Sequence, residues 1–341
     1  MHHVKESDMS IVISGTGAFI PENRVSNEEL AARVDTTDEW IRSHTGIGAR
    51  RFAADGLVSS DLGAAAARVA LERAGKKPED VDLIVVATAT PDYFAFPSTA
   101  CIVQDKLGAA NAAALDINAG CTGFIYALDV AGSMLAAPGR RTALVIGAET
   151  LSRIADWGDR ATCVLFGDGA AAFVLERDDN APGVAGGGSG LLFSWLRAKG
   201  SGAKSLYLSQ PERTKTFERV GDCGKPPAII MDGKSVYMFA VKAITDTIEA
   251  LLAESGYALG DFKWIVPHQA NLRIVQAAAK RFGIADEQIF MNIEEYANTS
   301  AASIPIAMNE MAEKGLLKKG DLVMAMGFGA GLTYGGAIIR W

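Results

Sequence analysis

Cysteine and histidine are scarce in this chain. Four cysteines among 341 residues form no Cys-x-x-Cys pair and show no regular spacing, which argues against a disulfide framework and against a zinc site. Two of the four histidines, His2 and His3, stand in the polar stretch from Met1 to Ser10, where they read as tail residues before they read as ligands, so no metal is expected. No apolar run reaches the roughly 18 residues that a membrane span needs, and the first residues lack the charged-then-apolar pattern of a signal peptide. Basic residues are outnumbered 33 to 40, a formal net charge of −7, so the basic footprint of a nucleic-acid-binding protein is missing. The expectation is a cytoplasmic protein with no membrane and no nucleic-acid partner. What is present is apolar: 49% hydrophobic against 21% charged residues, a composition that excludes general disorder and supplies a sizeable core.

Helix and strand signals alternate along the chain, which predicts an α/β fold with sheets covered on both faces. Ser60 is placed to cap a helix running to Arg73, burying Leu62, Ala66, Val69 and Ala70 and closed by Gly75. Val81–Ala87 reads as a buried strand, and Pro97-Ser98 opens a helix that ends near Gly108. A faint internal repeat accompanies the alternation. Asp80-Val-Asp-Leu-Ile-Val-Val-Ala resembles Gly260-Asp-Phe-Lys-Trp-Ile-Val-Pro, and Thr142-Ala-Leu-Val-Ile-Gly-Ala resembles Asp321-Leu-Val-Met-Ala-Met-Gly. Two related halves are expected, 11–176 and 225–341, packed back to back. The Gly/Ser-rich stretch 177–224 between them reads as connecting and surface-loop material.

One cysteine stands apart from the others. Cys121 lies in Asn118-Ala-Gly-Cys-Thr-Gly-Phe124, where an apolar strand-like run (Ala112–Ile117) meets an apolar helix-like run (Phe124–Leu135). A thiol at a helix start faces unpaired N–H groups whose partial charge favours thiolate, the state that reacts. Burial as a packing residue is the competing reading; Cys101 and Cys163 are read that way, and Cys223 sits in a loop-like stretch. In the repeat, Asn298 takes the position of Cys121, again ahead of a helix, either as a cap or as part of a site. His268 ends the apolar run Trp264–Pro267, at the carboxyl end of a strand where α/β sheets bind ligands; a buried structural histidine is the alternative. Gly327-Phe-Gly-Ala-Gly-Leu-Thr-Tyr-Gly335 is a tight turn between strands that could also aim an N–H at an acyl oxygen. Asn271–Phe282 reads as an amphipathic helix with Leu272, Val275, Ala279 and Phe282 inward and Arg273, Lys280 and Arg281 on one outward face.

With these pieces together, the sequence resembles the β-ketoacyl-[acyl carrier protein] synthase III family of the thiolase superfamily, from Ile11 to Trp341. The resemblance is carried by Asp38-Glu-Trp-Ile41, Thr45-Gly-Ile47, Ala95-Phe-Pro-Ser98, Ala119-Gly-Cys-Thr-Gly-Phe124, Phe166-Gly-Asp-Gly169, Pro267-His-Gln-Ala-Asn-Leu-Arg273, Ala297-Asn-Thr-Ser300 and the terminal glycine loop. It implies a thiolase-like five-layer αβαβα fold built from two similar halves, working as a homodimer. It also implies the first condensation of fatty-acid synthesis, an acyl-CoA primer joined to malonyl-[acyl carrier protein] with release of CO2 and CoA, and no cofactor. Position by position, Cys121 matches the acyl-accepting nucleophile, and His268 and Asn298 match the decarboxylation pair. The backbone N–H groups of Cys121 and Ala330 match the oxyanion hole. Trp40 matches the residue that stacks on the CoA adenine, Arg160 and Arg273 CoA-channel contacts, Asn271 a pantetheine contact, and Phe96 a residue reaching into the partner's primer pocket. The basic face of Arg273, Lys280 and Arg281 becomes a docking surface for the acidic carrier protein.

Two positions depart from the family's pattern. His44 stands where many relatives have an arginine beside the adenine, and Ala330 replaces a glycine of the terminal loop. Three other functions remain open at this stage. They are a synthase III-like condensing enzyme or acyltransferase of secondary metabolism, a non-catalytic partner subunit, and a cysteine hydrolase; the second usually lacks the nucleophile that Cys121 supplies here.

Overall fold

The structure is a computed structural model and describes residues 9–180, 188–209 and 227–341. Cys223, the histidines at 2 and 3 and the glycine run at 186–187 lie outside the described residues. The first sheet has the order β1-β7-β6-β4-β5, from β1 (Ser10–Phe19), β4 (Leu83–Ala87), β5 (Ala113–Ile117), β6 (Thr142–Thr150) and β7 (Asp168–Asp178). A small antiparallel pair, β2 (Asn23–Ser26) and β3 (Ala49–Phe52), stands beside it. The second sheet has the order β11-β12-β13-β8, from β8 (Gly190–Ala198), β11 (Trp264–Pro267), β12 (Leu322–Gly329) and β13 (Thr333–Arg340). Between β8 and β11, β9 (Leu206–Leu208) pairs antiparallel with β10 (Ile229–Met231).

The two sheets repeat one wiring. β4 is parallel to β6, which is antiparallel to β7, which is antiparallel to β1; β11 is parallel to β12, then antiparallel to β13, then to β8. Even the β4–β5 pairing has its counterpart, a parallel bridge between Ile265 and Ile289. The stretch 177–224 is thus more than a connection: β8 lies inside it and forms the edge of the second sheet. Its alternating Leu, Phe and Trp gave a strand signal that the flanking glycines masked.

Helices α1 (Asn27–Ala31), α2 (Asp38–Thr45) and α8 (Ile293–Tyr296) are short and pack together through Leu30, Ile41 and Ile293. α3 (Ser59–Ala74) and α4 (Thr99–Leu107) cover the outer face of the first sheet, while α6 (Gly233–Ser255) and α7 (Leu272–Phe282) cover that of the second. α5 (Gly123–Ala136) and α9 (Ser303–Glu313) lie between the sheets. Those five layers, αβαβα, explain why every residue of β4 and β6 is buried: water reaches neither face. Phe124, Ile125, Leu128 and Leu135 of α5 are fully enclosed, each side chain contributing about 1.5–3 kcal/mol by burial.

Local signals set most boundaries, with instructive exceptions. Ser98 caps α4 by accepting from the Cys101 N–H, and Gly108 closes it in the left-handed region. α3 starts two residues earlier than Ser60 suggests, with Val58 as its N-cap: Asp61 accepts the Val58 N–H, and Ser60 is drawn instead to Asp92. Cys163 is buried, but Cys101 is exposed, because α4 turns that face away from the sheet. In α7 the buried stripe is Ile274, Val275, Ala278 and Ala279, with Leu272 and Phe282 only half-buried. The helix rolls to seat Ile274 and Ala278 against the second sheet, and Leu272 is left against Gly46 at the end of α2.

Candidate active site

Cys121 occupies a tight 3-10 turn, Gly120–Thr122, between β5 and the start of α5. Two glycines allow the β12–β13 loop to lie on that turn. A Cβ on Gly120, itself at φ +52°, would stand 2.9 Å from the backbone of Ala330, and one on Gly329 would stand 2.6 Å from the Cys121 nitrogen. Thr333 fastens the loop by donating to the Ala119 carbonyl at 2.7 Å. The N–H groups of Cys121 and Ala330 consequently both face the sulfur, so the replacement of glycine by alanine at 330 keeps the donor.

His268 follows β11 and is almost wholly buried. Its backbone N–H donates to Met326 at 2.7 Å. Its Nδ1 lies 2.6 Å from Ser303 Oγ. Burial alone pushes the imidazole down to about 3, so it is neutral at physiological pH. That hydrogen bond to Ser303 fixes the orientation of the ring and leaves Nε2 on the side away from Ser303. Asn298 sits between α8 and α9. Its backbone is tied to Leu165 and Gly167 (2.9 and 3.0 Å), and its Oδ1 accepts the Ser300 N–H at 2.8 Å. That bond leaves the Asn298 amide N–H groups free to donate. Ala297 and Ser300, on either side, adopt positive φ of 57° and 48°, backbone strain of the kind that collects at functional sites.

These three side chains converge. Cys121, His268 and Asn298 line one cavity of about 230 Å³ together with Trp40, Asn271 and Phe328. Sequence reasoning missed its other wall, Leu206, Met231, Val236 and Tyr237, because β9, β10 and the start of α6 carry no chemical signature, only apolar residues. It also missed Ser303, hidden in a Ser/Ala run that reads as ordinary helix start. Replacing Ser303 by alanine is expected to free the imidazole ring to reorient and to slow condensation about tenfold, the worth of one good hydrogen bond. Steady-state turnover and Cys121 acylation measured side by side would check this, acylation staying unchanged.

The protonation state expected of Cys121 needs correction. Burial pushes its thiol up to about 12, although Ser300 and the N–H groups of Cys121 and Ala330 pull it down; the negative charge of Glu149 adds to the rise. Cys121 keeps some surface open to the cavity, but protein surrounds the sulfur on its other sides. The helix start is where the sequence placed it. Desolvation outweighs it, so the resting residue is a thiol, not a thiolate.

The remaining assigned positions are spread around the cavity mouth. Arg160 lies over the Trp40 ring, 5.4 Å from its centroid, and donates to the Asp35 carbonyl. The His44 ring stacks on Trp40, 4.5 Å between centroids at 16°, and donates from Nδ1 to the Trp40 carbonyl. The Asn271 carboxamide is already engaged, capping α7 through the Arg273 N–H and donating to the His44 carbonyl. Arg273, Lys280 and Arg281 are exposed on α7, Arg281 lying 3.4 Å from Glu249. Phe96 does not line this cavity; it projects into solvent with Phe94, 86% and 75% exposed.

Known proteins resemble the chain along nearly its whole length. A β-ketoacyl-[acyl-carrier-protein] synthase III of Clostridium acetobutylicum is 44% identical over 97% of this chain and 99% of its own. The chain belongs to the β-ketoacyl-[acyl-carrier-protein] synthase III family. The family's descriptions, 3-oxoacyl-[acyl-carrier-protein] synthase III and its C-terminal part, match residues 115–190 and 252–341. This family member is accordingly a condensing acyltransferase. The crystal structure of the Aquifex aeolicus 3-oxoacyl-[acyl-carrier-protein] synthase III superposes with a TM-score of 0.87 at 41% identity, covering 97% of this chain and 100% of that one. The priming β-ketosynthase of the R1128 polyketide pathway superposes equally well, 0.87 at 34% identity, over 97% and 96%. The thiolase-like fold expected from the sequence is the fold observed. Among the described residues no helix is long and apolar enough to cross a membrane.

Proposed function

We propose that this protein transfers an acyl group from an acyl-CoA primer to Cys121 and condenses it with malonyl-[acyl carrier protein], starting a fatty-acid chain. The observation that carries the reading is the convergence of a thiol, a neutral imidazole and a free carboxamide in one largely apolar cavity. Cys121 sulfur attacks the primer thioester, and the N–H groups of Cys121 and Ala330 hold the oxyanion until CoA leaves. The malonyl thioester then enters with its carbonyl oxygen between His268 Nε2–H and the Asn298 amide. Loss of CO2 turns that carbonyl into an enolate that the same two donors stabilise, and the carbanion attacks the acyl-Cys121. A neutral imidazole suits this role because it donates without protonating the enolate.

CoA is substrate rather than cofactor, and every step runs on side chains and backbone N–H groups. Trp40, Arg160, Asn271 and Arg273 guide the CoA and pantetheine arms, Asn271 through its position because its carboxamide is bonded. The basic face of Arg273, Lys280 and Arg281 receives the acidic carrier protein, and the working form is a cytoplasmic homodimer in which Phe96 enters the partner's primer pocket. Intact-mass measurement with acyl-CoA primers tests the reading. An adduct of one acyl group is expected, absent in Cys121→Ala and discharged as a β-ketoacyl product when malonyl-[acyl carrier protein] is added. Discharge as free acid without the malonyl acceptor would instead make the protein a hydrolase. A panel of primers distinguishes fatty-acid initiation from the secondary-metabolite priming of its R1128 relative.

A further inference from the structure

Gln269 directly follows His268 and is buried, yet it is not one of the residues that line the cavity. Its carboxamide is engaged entirely with backbone. Nε2 donates to the Pro267 carbonyl at 2.7 Å and to the Phe290 carbonyl at 3.3 Å, and Oε1 accepts the Asn292 N–H at 3.0 Å. A carbonyl can only accept and a backbone N–H can only donate, so a single orientation of the amide satisfies all three.

The carboxamide stands where a β-ladder breaks off. Residues 289–290 run parallel to β11, with a bridge between Ile265 and Ile289 and the Phe290 N–H donating to the Ile265 carbonyl at 3.0 Å. Two residues on, the same pattern calls for an N–H of residue 267 on the Phe290 carbonyl and the Asn292 N–H on the carbonyl of residue 267. Residue 267 is proline and has no N–H. The Gln269 amide replaces the missing rung: it supplies a donor to Phe290 and inserts between the Pro267 carbonyl and the Asn292 N–H. The two segments are therefore held apart by an amide group at the carboxyl end of β11, where His268 emerges.

That spacing reaches both members of the decarboxylation pair. His268 comes next after Pro267, its ring held by Ser303 at the start of α9. Asn292 is the N-cap of α8, a single turn in which the Ala297 N–H donates to the Ile293 carbonyl at 2.9 Å, and Asn298 follows at once. Asn292 Nδ2 also donates to Glu310 of α9 at 2.8 Å, tying the same turn to the helix that carries Ser303. We infer that Gln269 is a positioning residue whose carboxamide sets the distance between His268 and Asn298, and with it the fit of both donors to one enolate oxygen. The inference rests on the condensation proposed above. Gln269 touches no reacting atom, and its effect passes through the backbone on either side.

The test compares Gln269→Leu and the double variant Pro267→Ala/Gln269→Leu with the unaltered enzyme and with Cys121→Ala. Leucine fills the space but makes none of the three bonds. Alanine at 267 restores the N–H that lets the ladder close directly, drawing the two segments to the ordinary strand spacing of about 4.8 Å. Gln269→Leu is expected to acylate Cys121 at the normal rate and to keep its KM for malonyl-[acyl carrier protein]. Its kcat for CO2 release is expected to fall about 10–100-fold, up to the loss that a misplacement of about 1 Å causes, and its unfolding midpoint to fall as well. The double variant is expected to recover the midpoint but not CO2 release. Recovery of both would overturn the inference, because the bonds and not the spacing would then matter. Equal losses of acylation and CO2 release in Gln269→Leu, or no loss of either, would also overturn it. Should Gln269→Leu not fold, the double variant decides alone. An acylated Cys121→Ala, or an unaltered enzyme that takes no acyl group, would overturn the condensation reading itself, and both are read without any change at residue 269.

Discussion

His268→Ala and Asn298→Ala are each expected to lose condensation by about 10²–10³-fold, the effect of removing one oxyanion donor in an enclosed site, while Cys121 still accepts the acyl group. The separation follows from the geometry. His268 and Asn298 present donors to the cavity, but the sulfur's own neighbours are Ser300 and the N–H groups of Cys121 and Ala330. In Asn298→Ala the buried Ser300 N–H also loses its acceptor, so this variant should additionally lose about 1–3 kcal/mol of stability. Intact mass reads the acyl adduct and CO2 release reads the second step. Full condensation by either variant would show that the enolate is stabilised elsewhere.

Gly147→Ala is expected to lower both stability and condensation, although residue 147 touches no substrate. β6 passes so close to the segment carrying Asn298 that a Cβ on Gly147 would stand 2.5 Å from the Ala301 carbonyl oxygen and 3.0 Å from Ala302 Cα. Backbone on both sides leaves nothing flexible to give way. Overpacking of this kind destabilises by about 1–3 kcal/mol, and the relief available is to push residues 298–302 away from the first half. Thermal or denaturant unfolding should therefore show the loss, and CO2 release should fall more than acylation. Unchanged stability would mean that the two halves approach less closely than they do in this structure.

Much of the fold could be read before any coordinates. The buried strands β4 and β6, the capped ends of α4 and the pseudo-repeat are written in local composition, because hydrophobic periodicity and caps act over a few residues. β8 was hidden by the glycines around it, and the roll of α7 by competition between two packing surfaces that periodicity cannot rank. Glu149 did leave a trace, as a lone charge at the end of an apolar run. Ser300 and Ser303 left none, since serines at a helix start are common for capping alone.

The sequence by itself determined that a cysteine stands at a strand–helix junction, that a histidine ends a strand in the other half, that an asparagine occupies the matching junction there, and to which family the whole pattern belongs. Those are facts of order and spacing, carried by covalent connectivity. Only the tertiary structure decided that the three side chains share one cavity and that Ser303 holds the His268 ring. It also decided that Cys121 rests as a thiol beside a buried acid. Protonation states depend on how much water is excluded and which groups arrive from the other half of the chain, quantities that no short stretch of sequence contains.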